Sequence, residues 1–283
     1  MPPRSTPTAR QQRLGAELRK MREQAGMTAP EAAAELGTNR TGISNLEAGR
    51  FGISAERVRM LASIYRCVDQ EYVEALVQMA RERGAGWWEH YRGSIPSGAL
   101  DVAELEHHAC GIRSMQIMYI PGLLQTEDYA KAVLSTAVPP RSATEVRRRV
   151  SLRMRRRDVL DRETPPTCTF LIHEAATRMR FGGPDVARKQ LEHVLEESER
   201  DNISVRVIPF VAGGFASGGS SVLYVEGPVA RLDTVHLDVA SGGTLLYAES
   251  QLACFRAILD AAEAISLSPS ATRDFIRTVA KEL

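Results

Sequence analysis

Residues 28–50, TAPEAAAELGTNRTGISNLEAGR, leave the backbone few choices. Thr28 and Glu31 stand three apart as a capping box, in which hydroxyl and carboxylate each satisfy a backbone N–H at a helix start, and Pro30 is tolerated in that first turn. The spacing predicts a helix over 29–36. Gly37 ends it, because glycine takes the positive φ that turns the chain within a few residues. Asn39 caps the next helix, on which Ile43 and Leu46 face inward and Arg40, Thr41, Ser44 and Asn45 face out. A polar outer face of this kind suits a groove-reading helix, since arginine forks onto guanine and asparagine onto adenine in the major groove. Any amphipathic surface helix shows the same periodicity, so a merely solvated face is the competing reading.

The neighbouring segments supply the context. Residues 1–9 are rich in Pro, Ser and Thr and read as a flexible arm. Leu14, Leu18 and Met21 recur at helical spacing over 10–25, with Gly26 at the stop. Ser54 opens a fourth helix carrying Val58, Leu61, Ala62 and Tyr65, and Asp69 a fifth carrying Tyr72, Val73, Leu76, Val77 and Met79. Residues 1–83 thus form an all-α five-helix domain. LGAELRKMREQAGMT, AAAELG and ISNLEAGR together resemble the Xre-type family of lambda-repressor-like regulators. The resemblance implies base-edge contacts from Arg40, Thr41 and Asn45, with Ser44 on the same face, and a structural ion pair between Arg22 and Glu47. It departs at Ala29, where the family usually carries a DNA-contacting glutamine. Arg19, Lys20, Asn39, Arg50 and Arg57 are the candidates for phosphate contact.

Charge supports that division of labour. The net charge is +1, but residues 1–66 hold 11 Lys/Arg against 6 Asp/Glu, whereas the remainder holds 25 against 29. A basic part on a mildly acidic body is expected when one domain meets phosphate and the other does not. Cys67, Cys110, Cys168 and Cys254 lack zinc-knuckle or dithiol spacing and read as reduced, mostly buried thiols of a cytoplasmic protein. No apolar run approaches the length that crosses a bilayer, so no membrane partner is expected.

Residues 84–98, GAGWWEHYRGSIPSG, read as a junction. Trp87, Trp88 and Tyr91 either glue the helical domain to its neighbour or line a ligand pocket or dimer surface. Residues 99–283 read as an α+β domain, a mixed sheet with packed helices. A helix over 100–109 carries Glu106, His107 and His108, but adjacent helical residues point about 100° apart, which opposes a shared metal. A strand follows over 112–120, then a helix capped by Thr126. PGLLQTEDYA, HEAATRMRFGGPDVARKQLEHVLE, VRVIPF and LSPSATRDFIRTVAKEL resemble the large carboxyl-terminal domain of actinobacterial Xre-type regulators, the Scr1 family of antitoxin-like proteins. That resemblance implies a homodimer controlled by a small companion protein or a small-molecule ligand.

Over 145–162 seven of the arginines, Arg153 and Arg156 among them, accompany an apolar stripe of Val146, Val150 and Met154. This helix offers a phosphate surface, a dock for an acidic partner or an anionic-ligand site, unless its face is simply solvated and paired with carboxylates. After Pro165-Pro166, TCTFLIHE, ISVRVIPF, SSVLYVEG, VARLDTVHLDV and GTLLYAES read as strands, with helices over 185–200, 251–264 and 269–283. No catalytic residues, metal or cofactor are expected. HEAAT lacks the second histidine of a zinc protease, GGFASGGSS reads as a flexible hairpin loop, and no G-x-S-x-G is present. The function to expect is a dimeric, sequence-specific transcriptional regulator on double-stranded DNA, its half-sites ~34 Å apart on a near-palindromic operator. The alternatives are an interaction module whose helix-turn-helix no longer reads DNA and, after that, an enzyme.

Overall fold

The computed structural model describes residues 7–82, 86–239 and 242–283, in two compact units, Met1–Trp87 and Trp88–Leu283. Residues 1–6 of the expected arm, and Gly84 and Ala85 of the expected junction, lie outside the described residues. The arm is shorter than its composition suggests. Thr8 Oγ1 accepts from Gln11 N at 3.3 Å while Gln11 Oε1 accepts from Thr8 N, so α1 (Ala9–Gln24) starts at a capping box inside it.

The first unit continues with α2 (Ala29–Glu35), α3 (Arg40–Glu47), α4 (Ala55–Ile64) and α5 (Gln70–Arg81). Each start has a local cause. Thr28, Asn39, Ser54 and Asp69 each accept from a backbone N–H three residues on. Leu18, Ala32, Ile43, Val58, Leu61, Tyr72 and Leu76 are buried and form the shared core.

The second unit holds a six-stranded sheet in the order β3-β2-β1-β4-β5-β6, built from β1 (Gly111–Gln116), β2 (Thr167–His173), β3 (Ile203–Ile208), β4 (Val222–Glu226), β5 (Thr234–Val239) and β6 (Gly242–Leu246). β1, β2 and β3 run parallel, and β4, β5 and β6 are added antiparallel. The helices are α6 (Ser97–His107), α7 (Glu127–Ser135), α8 (Ala143–Arg156), α9 (Glu174–Arg178), α10 (Pro184–Glu197), α11 (Glu249–Ala264) and α12 (Pro269–Lys281). Side chains alternate across the strands, so each face has its own core. Ile112, Phe170, Ile172, Val205 and Val225 pack with Tyr129, Leu191, Val194 and Ile276 of α7, α10 and α12. Met115, Leu171, Tyr224 and Val235 pack on the other side with Leu252 and Leu259 of α11.

Several expectations are corrected. The expected strand over 112–120 ends at Gln116. GGFASGGSS is no hairpin loop, because β3 and β4 are not neighbours and the segment passes from an edge strand to the far side of β1. Cys168 alone of the four cysteines is buried; Cys110 and Cys254 are exposed. The expected junction is in part structured, since residues 87–91 form a 3-10 turn and α6 starts at Ser97.

Candidate nucleic-acid interface

α3 is held by an unusually close approach to α1. A Cβ on Gly15 would collide with the carbonyl oxygens of Glu47 and Leu46, and one on Gly49 would lie 2.7 Å from the Gln11 carbonyl oxygen. Gly49 also has a φ of +69°, which favours glycine. Backbone contact at these two points is sealed by charge. Arg22 Nε and Nη2 donate to the two oxygens of Glu47 at 2.6 and 3.0 Å, and Arg22 Nη1 reaches the Met27 carbonyl at 2.8 Å. The fork thus ties the end of α1 to the last turn of α3 and to the turn that leads into α2. Gly15→Ala forces α1 and α3 apart, and overpacking of this kind costs ~1–3 kcal/mol. Thermal unfolding monitored by hydrogen exchange in α3 should register that loss, while an unchanged α3 would contradict the packing.

Gly37, at a φ of +60°, turns α2 toward α3. Asn39 Oδ1 accepts from Gly42 N at 2.8 Å, so this side chain caps α3. Ile43 and Leu46 point into the core, and Arg40, Thr41 and Ser44 are exposed with Asn45 half-buried beside them. None of these four side chains spends a donor or acceptor on another described residue. The outer face therefore presents a guanidinium fork, an amide and two hydroxyls whose hydrogen-bonding capacity is unspent.

The phosphate candidates divide. Arg19 Nε donates to Glu23 at 2.7 Å and Lys20 Nζ to Glu17 at 2.7 Å, so both cations are already engaged. Arg50 and Arg57 are exposed and their guanidinium groups have no acidic partner among the described residues. Ala29 is half-buried at the first position of α2 and offers no polar atom beyond its backbone.

Periodicity alone missed Glu17. Its carboxylate is 1% exposed and accepts from Arg13 Nε at 2.8 Å, Lys20 Nζ and the Tyr72 hydroxyl at 2.6 Å. Burial raises its pKa, but Arg13, Lys20 and Tyr72 outweigh that effect and hold the carboxyl below the usual range. The available signal was position: Glu17 sits three residues after Leu14, on the apolar stripe of α1.

In the second unit Trp88 is buried with its ring 5.1 Å from His107 and 5.9 Å from His108, and the Tyr91 hydroxyl meets Ser151 Oγ at 2.9 Å. Trp87 is half-buried and closes the first unit. The arginine segment is not one solvated face. Arg147 and Arg148 of α8 are exposed, whereas Arg156 forks onto the buried Glu106 with two bonds of 2.6 Å and Arg153 Nη1 donates to the buried Gln125 at 2.7 Å. The near-protease motif serves local structure: His173 Nδ1 accepts from Ala175 N at 3.3 Å, and Glu174 accepts from Phe210 N at 2.9 Å. Among the described residues no group of three or more His, Cys, Asp or Glu is placed to hold a metal, and no helix is long and apolar enough to cross a membrane.

A five-helix unit whose third helix is braced by the first and turns four unspent polar side chains outward defines a helix-turn-helix protein. Residues 13–76 accordingly match the family model of a helix-turn-helix domain. Residues 99–278, well over half of the chain, match that of a domain of unknown function, DUF5753, and the chain belongs to the DUF5753 family. No curated protein and no solved structure matches the chain.

Proposed function

We propose that this protein is a sequence-specific DNA-binding transcriptional regulator of the Xre type, in which α3 enters the major groove and Arg40, Thr41, Ser44 and Asn45 meet base edges. The single observation that carries the reading is the combination on α3 of an unspent polar face with a rigid mount, the Arg22–Glu47 fork and the Gly15 contact. Arg50 and Arg57 are the phosphate contacts this reading favours, because Arg19 and Lys20 are held by Glu23 and Glu17. The DUF5753 unit dimerises, which places two reading helices on a near-palindromic operator, and it receives the controlling signal from a small ligand or a small companion protein, as in the actinobacterial Scr1 proteins whose motifs the sequence resembles. The proposal assigns no reaction to it.

On the operator enriched by the wild-type protein, Arg40→Ala should cost ~1–3 kcal/mol and relax preference at one base pair. Arg50→Ala should weaken all sequences alike and flatten the salt dependence. Fluorescence anisotropy against operator variants at several salt concentrations separates the two. If Arg40→Ala and Asn45→Ala leave operator affinity untouched while replacing the α8 arginines abolishes it, the protein is an interaction module that docks through α8.

A further inference from the structure

On the sheet face that carries Ile112, the row Ser114–Leu223–His236–Leu245 runs across β1, β4, β5 and β6. α6 lies near α8 and contacts β6. Two polar side chains there have unspent capacity. His236 is half-exposed and neither ring nitrogen has a hydrogen bond or ion pair with a described residue. Arg153 is also half-exposed, and only its Nη1 is used, on Gln125. Both lie within the fields of Glu106, Arg156 and Asp238, which places them in one cluster.

The surroundings brace this cluster. Gln125 is 2% exposed, and its amide nitrogen donates to the Ile120 carbonyl at 2.7 Å, so its oxygen is fixed toward Arg153. Glu106 consumes the fork of Arg156. Arg153 is therefore left as the cation without a carboxylate of its own. Gly243 keeps space beside the imidazole: a Cβ there would strike His236 Nε2. Burial, then Arg156, lower Arg153 to about 10, which leaves it cationic at neutral pH, and burial holds His236 below the ordinary histidine value, hence neutral. A cation with spare donors beside a neutral imidazole, in a region poor in water, is a setting that strengthens a bound oxyanion.

We propose that Arg153 and His236 form a binding site for the oxyanion group, carboxylate or phosphate, of a small molecule. Arg153 supplies its free Nε and Nη2 as a fork and His236 one ring N–H. Gln125 and the Glu106–Arg156 pair position the fork. As the signal-receiving site of the second unit this rests on the regulatory reading above, but the binding itself does not.

The test is NMR of the histidine rings in the full-length protein, with His236 assigned by His236→Gln, during titration with inorganic phosphate or with acetate at ionic strength held constant by chloride. The expected result is a saturable shift of the His236 resonances with at least one of the two oxyanions, and the pair of titrations tells a phosphoryl from a carboxylate ligand. Arg153→Met should weaken that response about tenfold or more, the loss expected for a charge-assisted hydrogen bond. If Arg153→Met does not fold, Arg153→Lys, which keeps the charge and loses the fork, is expected to weaken it in the same sense. No saturable shift with either anion, or a shift that survives the Arg153 replacement unchanged, would overturn the site. An empty site with operator binding intact refutes this inference alone, and a filled site in a chain that ignores DNA refutes only the reading of α3.

Discussion

Glu106→Ala should destabilise the second unit by ~3–5 kcal/mol, because it leaves the Arg156 guanidinium in a poorly solvated position with no counter-charge. Both partners sit deep: the Glu106 side chain is 3% exposed and that of Arg156 13%. Taking these ions out of water costs several kcal/mol each, and the two 2.6 Å bonds repay that cost only while both partners are present. The expected signature is faster hydrogen exchange in α6 and α8, with the first unit unchanged. Replacing both ions by apolar side chains of similar volume, Glu106→Leu with Arg156→Met, should recover most of the loss. A single variant as stable as the wild type, or a double variant worse than either single, would show that the pair does not work as a unit.

The second large effect belongs to Glu17. Glu17→Ala removes the acceptor of the buried Arg13 and of the Tyr72 hydroxyl, which joins α1 to α5 across 55 positions of sequence. It should cost the first unit ~3–5 kcal/mol, a large part of what a domain of this size possesses. Glu17→Gln keeps the shape and drops the charge, so it should cost less. The same group sets an acid response. Its folded pKa lies below the model-compound value of 4.5, so the stability it contributes is fully present above that pH and is lost as pH falls through the folded value. Hydrogen exchange in α1 and α5 of the wild type should rise on acidification below about pH 4.5, while Glu17→Gln should be flatter in that window. Parallel pH profiles would remove Glu17 from the account of acid stability.

How much of this was legible in the sequence follows from the range of each interaction. The five amino-terminal helices, with Thr28, Gly37, Asn39, Ser54 and Asp69 at their ends, were readable because caps and helical stripes act within a few residues. The strands were readable as runs of β-branched residues. Their order was not, because the step from β3 to β4 passes over two strands that no local pattern records. The outward face of α3 was readable, since Ile43 and Leu46 orient it. Which cations stay free was not: Arg19 and Lys20 differ from Arg50 and Arg57 only through the carboxylates that the fold brings to them. The arginine helix misled for a related reason. Its apolar stripe of Val146, Val150 and Met154 orients the helix, but Arg149, Arg153 and Arg156 flank that stripe and turn inward, and a count of charges sees only a positive segment. Arg153 and His236 lie on a helix and a strand far apart in sequence, and only the sheet brings them together.

The central claim is that α3 reads bases. Selection of bound fragments from a random-sequence DNA pool, carried out in parallel with the wild-type protein and with the Arg40→Ala/Asn45→Ala double variant, tests it most directly. A recurring near-palindromic site with half-sites about one helical turn apart in the wild-type pool, lost or degenerate in the variant pool, is the expected result. An unenriched wild-type pool, or the same site recovered with equal strength by the double variant, would contradict it.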